Sequence, residues 1–278
     1  MKTRITLIFI NFFLTFTTVY SQAYEPLELA KKIFSKQIFP NMEHYISGEY
    51  LGKPNGSDLK KGSITKFTLL GQSDQTAVVG MTILDSLGKG RDTYLHFEKT
   101  DKWKMIAFRG LAMTGMIEQM KLELEKMTPQ QVDEMIEWSN KKDNSVVFES
   151  RDDYQFKLGN AKLILELDEN IINHFLANQV AFERLKDLAL SEIEKVEAEG
   201  SVKIIENSKA EYNKLFISSV YSGDYELGNC INFLIGGLLD NSVGYFYIKN
   251  KEDLPEMSSN TIIMIREIGN GWYLYKTT

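Results

Sequence analysis

The sequence predicts an α+β fold in which helices pack on curled antiparallel sheets, arranged as two related units. Three observations predict it. Period-two patterning recurs in two separated blocks, 64–111 and 212–277, the mark of half-buried strands. Helical periodicity fills the segments before and between those blocks. The composition is that of a globular chain, with 43% hydrophobic and 25% charged residues and five prolines, which excludes collagen-like and disordered classes. At 278 residues the chain is long enough for two units, each with its own core.

Residues 1–21 read as a signal peptide. Lys2 and Arg4 precede the apolar run Ile5–Phe16, and small and polar residues follow to Ala23. Cleavage is expected after Ser21, or alternatively after Ala23. The apolar run is shorter than the roughly 20 residues a membrane span needs, and residues 24–278 hold no further candidate span. The expected destination is the periplasm or the outside. The full chain has 32 Lys and Arg against 38 Asp and Glu, a net charge of −6. Loss of Lys2 and Arg4 with the leader leaves −8. That balance, without a basic block, disfavours nucleic acid as a partner.

The first unit is expected over 24–111. Leu27, Ala30, Phe34, Ile38, Met42 and Tyr45 recur at helical spacing over Pro26–Ile46, with Pro40 as an interruption. Gly52, Pro54, Asn55, Gly56 and Gly62 mark a loop. Strands are expected at 64–71, 76–84, 91–99 and 103–111. In the third of these, Tyr94, His96 and Glu98 face one way and Leu95 and Phe97 the other.

A connecting region follows over 112–167. Residues 115–140 are helical, with a second start at Thr128, Pro129 and Gln131, the residues of a capping box. Val132, Met135, Ile136 and Trp138 are expected as a buried stripe. Val146–Phe148, Tyr154–Leu158 and Leu163–Leu167 read as short strands with Gly159–Asn160 as a hairpin turn, helix being the alternative for parts.

The second unit is expected over 168–278. Asp168 is a candidate N-cap for a helix running to Gly200, roughly 40–45 Å long at 1.5 Å per residue. Strands are expected at 212–221, 230–237, 243–249, 261–268 and 272–277. The two strand blocks echo each other: Asp74/Asp240, Thr93/Thr261 and Trp103/Trp272 are offset by 166, 168 and 169 residues. On this reading Gly80 and Gly244 are equivalent, and each tryptophan opens the closing strand of its unit.

A helix followed by a long curled sheet resembles the NTF2-like or cystatin-like architecture over 24–111 and, more loosely, 168–278. The tail, Gly244–Tyr247 through Gly271–Tyr275, is similar to uncharacterised secreted proteins of Bacteroidota-type bacteria. The resemblance implies a cone-shaped sheet that serves binding in many members and encloses an acid–base pair in some. It implies no particular chemistry.

No dinucleotide, Walker, nucleophile-elbow, zinc-protease or calcium-loop motif is present. The three histidines, His44, His96 and His174, fall in separate elements, so neither a metal nor a cofactor is expected. His96 beside Glu98 is the one candidate catalytic pair, an imidazole base oriented by a carboxylate. Tyr94 shares its face. Tyr245 and Tyr247 lie opposite Phe246, while Tyr273 and Tyr275 lie opposite Trp272 and Leu274. Such strands either bury both rows or expose one as a recognition patch for peptide, glycan or protein. Cys230 is expected as a buried small hydrophobe, and as the single cysteine it excludes an internal disulfide. The expected function is non-catalytic binding or accessory work outside the cytoplasm, for a protein, peptide or small molecule. The alternatives are a small cofactor-independent enzyme using His96 and Glu98, and a structural envelope protein.

Overall fold

The computed structural model describes residues 23–141, 146–193, 202–224 and 227–278. The leader expected at 1–21 and the helix end expected at Gly200 lie outside them. α1 (Pro26–Ile33) begins with Pro26 in its first turn and buries Leu29, Ala30 and Ile33. It stops well before Pro40, and a 3-10 turn over Met42–Tyr45 replaces the rest of the expected helix.

The first sheet comprises β1 (Ile64–Gln72), β2 (Thr76–Leu84), β3 (Gly90–Lys99) and β4 (Trp103–Arg109), paired in sequence order. Alternation sorts its side chains between two cores. Ala77, Val79, Met81, Leu95, Phe97, Trp103 and Met105 pack on Leu29, Ile33 and Phe34 of the α1 segment. Val78 and Tyr94 point the other way, into the core of the second sheet.

Among the described residues five helices follow: α2 (Thr114–Lys126), α3 (Pro129–Ser139), α4 (Arg151–Ile164), α5 (Asp168–Ala177) and α6 (Gln179–Ile193). The expected capping box is present at α3: Thr128 Oγ1 accepts from Gln131 N while Gln131 Oε1 accepts from Thr128 N. Leu124, Val132, Phe148 and Tyr154 form a small core between α2, α3 and α4.

α4 replaces the strand expected at 154–158 and the start of the one expected at 163–167, whose remainder is a turn, so Gly159 and Asn160 sit mid-helix instead of in a hairpin turn. A Cβ on Gly159 would lie 2.1 Å from Phe216 Cε1, so the missing side chain admits that ring. Asn160 Nδ2 donates to the carbonyls of Phe216 and Ile235, at 2.7 and 2.5 Å. The long rod expected from 168 is also broken. Asn178 leaves helical geometry at φ −117°, donates to the His174 carbonyl, and accepts from Ala181 N and Phe182 N to start α6.

The second sheet contains β5 (Lys203–Ile204), β6 (Ser219–Asp224), β7 (Gly228–Leu238), β8 (Asn241–Tyr247), β9 (Ile262–Gly269) and β10 (Trp272–Thr277), in the order β5-β6-β7-β8-β10-β9. α7 (Lys209–Asn213) takes the start of the strand expected at 212–221. One face packs on α5 and α6 through Phe175, Phe182, Phe233, Tyr245 and Trp272, with Phe175–Phe182 centroids 4.7 Å apart. Cys230, Phe246, Tyr273 and Tyr275 occupy the other face, beneath Leu254 and Met257. Among the described residues no helix is long and apolar enough to cross a membrane.

The α+β class with antiparallel sheets holds, but neither sheet is curled. Both remain open, with β1 and β4 as edges of one and β5 and β9 of the other. The NTF2-like or cystatin-like resemblance is therefore corrected. The physical reason is that apolar side chains occupy both faces of each sheet and need cover on both sides. A curled cone would instead wrap one interior. The echo fails at topology as well. Matching β1, β2, β3 and β4 to β7, β8, β9 and β10 requires β8 beside β9, whereas β10 lies between them. Residues 85–89 form a tight connection that forces β2 and β3 together, while the longer 248–261 connection allows β9 to skip one position.

Candidate functional site

His96 lies near the middle of β3 and is only 4% exposed. Its ring is hydrogen-bonded to the Ile263 backbone, and Nε2 has no partner in the described structure. Burial, followed by the Arg109 charge, lowers its pKa to about 4, so it is neutral at neutral pH. Glu98, two residues along, is exposed on the surface. The two side chains therefore do not share a pocket.

Tyr94 enters a different constellation. Its hydroxyl donates to both carboxylate oxygens of Asp168, at 2.9 and 3.0 Å. Lys276 Nζ lies 2.8 Å from Asp168 Oδ1, with the two side chains 5% and 7% exposed. Asp92 accepts from Asp168 N at 2.6 Å and from the Thr82 hydroxyl. Burial and the neighbouring Asp168 charge raise the Asp92 pKa. These groups join β2 and β3 to the start of α5 and to β10. Asp168 is the first residue of its helix, with Leu167 at the N-cap, and its carboxylate turns inward instead of capping. Tyr94, Asp168 and Lys276 are sealed from solvent, and with the partly buried Asp92 they form a clamp between the sheets.

The C-terminal tyrosines do not form the expected patch. Tyr245 is buried and donates to the Ile171 carbonyl at 2.7 Å, and burial raises its pKa. On the opposite face Tyr275 donates to Asn232 Oδ1 at 2.9 Å, and Tyr273 stacks on Phe246. Tyr247 is half-buried beneath Lys186 Nζ. Strand alternation assigns these residues to faces correctly. It cannot reveal that both faces are covered. Cys230 is buried, as expected.

His44 is exposed beside Glu43, and His174 stacks on Phe216 while contacting the Leu215 carbonyl. Among the described residues, no group of three or more His, Cys, Asp or Glu side chains could hold a metal ion.

An open apolar concavity lies on the helical region. A groove of about 690 Å³ is lined by Met127, Met135, Trp138 and Val147, with Glu123, Lys126, Gln131 and Glu134 at its margin. Met127 ends α2, and the capping box turns the chain into α3, bringing Met135 and Trp138 to the same groove. Trp138 is 41% exposed, which corrects its expected place in a buried stripe; Val132 alone of that stripe is fully buried, with Met135 and Ile136 partly so. Met116 and Met120 are also exposed. With Glu123 and Met127 they recur at spacings of four, three and four along one side of α2. Helical periodicity singled out Met135 and Trp138 but not the α2 methionines, and it could not tell a covered apolar face from an open one. A second concavity of about 290 Å³ lies beside His174 and Phe216.

Comparison with known protein families, curated proteins and solved structures found no match. The geometry itself defines an α+β protein of two open antiparallel sheets. Its accessible apolar groove belongs to a helical region beside them.

Proposed function

We propose that the protein is an exported, non-catalytic binding or accessory protein whose recognition surface is the α2–α3 groove. One observation carries this reading: Met127, Met135, Trp138 and Val147 line a groove of about 690 Å³. A partly exposed tryptophan beside methionines combines a large contact surface with side chains that repack readily. The sealed positions of His96 and the Tyr94–Asp168–Lys276 cluster favour binding over catalysis. Export is supported by the sequence of residues 1–21, and N-terminal sequencing of extracytoplasmic protein should begin at Gln22 or Tyr24. Intact Met1 on cytoplasmic protein would overturn that part.

The binding surface is tested by placing a photo-crosslinking amino acid at position 138 in cells, with position 38 as an exposed control. A discrete adduct from position 138 but not position 38 is expected. No adduct, or the same adducts from both positions, would defeat the groove as the recognition surface.

A further inference from the structure

The groove carries a charge pattern that selects among occupants. α2 and α3 together hold Glu118, Glu123, Glu125, Asp133, Glu134 and Glu137 against Lys121 and Lys126. Two of these acids are answered from α4: Glu125 by Lys162 at 3.1 Å and Asp133 by Arg151 at 2.6 Å. Two acids, Glu123 and Glu134, and one cation, Lys126, line the groove, leaving it acidic by one charge, and the two acids are held differently. Glu123 accepts from the Gln119 side-chain amide at 2.7 Å, and Glu134 accepts from that of Gln130 at 2.9 Å. Each helix thus places one carboxylate beside the apolar floor, and neutral amides support both.

The apolar surface also has a direction. Met116, Met120 and Met127 follow one side of α2 into the groove, where Met135, Trp138 and Val147 widen it. From Met116 to Met127 the rise is about 16 Å, or three turns of an α-helix. A partner helix of similar length could place apolar residues at intervals of three and four along this track, the usual helix-in-groove mode.

We infer that the α2–α3 groove binds a cationic amphipathic helix of a partner protein, with its apolar face on the methionines and Trp138 and its Lys or Arg residues beside Glu123 and Glu134. This rests on the groove being the recognition surface. The charge preference adds a separate test.

Three helix-forming peptides of about 14 residues serve as probes, with leucines at the same three-and-four spacing. Their remaining positions are all Lys, all Glu or all Gln. Binding to the mature protein is followed by Trp138 emission, because Trp103 and Trp272 are buried at 3% and 0% exposure. The Leu/Lys peptide should bind tightest and shift the emission to the blue, and added salt should weaken it. Charge reversal with Glu123→Lys and Glu134→Lys should weaken Leu/Lys binding at least about tenfold and improve Leu/Glu binding. Both sites are exposed, and circular dichroism checks that the fold is retained.

Equal binding of the Leu/Lys and Leu/Gln peptides would overturn the cationic assignment while leaving the groove as a binding surface. No binding by any peptide would overturn both. A larger Trp138 shift with phosphatidylcholine vesicles than with the Leu/Lys peptide would replace the partner helix with a lipid surface.

Discussion

Lys276 stands in β10 after Trp272, Tyr273, Leu274 and Tyr275, and its ammonium is nearly as buried as they are. A charge in such a strand persists because Asp168 receives it at 2.8 Å and Tyr94 completes the carboxylate's hydrogen bonds. Lys276→Met would leave Asp168 beside Asp92 without a cation, so urea unfolding should show a loss of about 3–5 kcal/mol. A smaller loss in Asp168→Leu/Lys276→Met than in the single variant would assign the damage to the stranded charge. His96 gives a pH signature of its own. Its folded pKa of about 4 lies below the ordinary 6.5, so between them the unfolded chain binds more protons. Stability is retained above pH 6.5 and lost as pH falls through 4, by about 3 kcal/mol in total. Asp92, raised by burial, titrates in the opposite sense, so the informative quantity is the difference from His96→Gln. That variant should flatten the acid limb, and an unchanged limb in pH-dependent urea melts would contradict the assignment. The sequence singled out Asp168 as a helix cap and His96 as a catalytic candidate. Their roles depend on Lys276 and Ile263, which are more than a hundred residues away in each case.

The α4 element shows why local patterning misread one segment. Tyr154, Phe156 and Leu158 alternate like a strand, and Gly159–Asn160 resembles a turn. Yet Ser150 Oγ accepts from Asp153 N, and Asp152 and Asp153 occupy the first helical turn. These are helix-start signals carried by side chains rather than by hydrophobic period. Gly159 is where this helix meets Phe216, itself held at φ 60°. Ala is about 1 kcal/mol better than Gly in a helix, but a Cβ at 2.1 Å would force the ring to move. Gly159→Ala should therefore destabilise the protein by about 1–3 kcal/mol. In a Phe216→Gly background, where the ring is gone and positive φ is easily adopted, the same change should become neutral or stabilising. Thermal melts of the four proteins close this cycle, and equal Gly159→Ala effects in both backgrounds would rule out the proposed clash.

Across the whole molecule, the first sheet lies between two cores. Leu95 and Phe97 face the α1 side, while Val78 and Tyr94 join the second sheet's core. Arg109 Nε reaches the Ser259 carbonyl at 2.6 Å, adding another cross-connection. Two independently folding units are not the expectation such contacts create. Trp103→Ala and Trp272→Ala, each removing a buried ring, should cost about 3–5 kcal/mol. Each variant should retain one transition seen alike by far-ultraviolet circular dichroism and by the emission of its two remaining tryptophans. Separated transitions would restore the two-unit description.

The sequence by itself determined the α+β class, most strand positions, the α3 capping box and the burial of Cys230, because alternation and capping are properties of neighbouring residues. The order in which strands pair was another matter: the 248–261 connection is long enough to permit more than one placement of β9. Only tertiary structure decided that β10 would lie beside β8, that both tyrosine rows would be covered, and that Trp138 would face an open groove. Periodicity tells which residues share a face. What covers that face is decided by segments far along the chain, through contacts whose partners carry no mark in the local pattern.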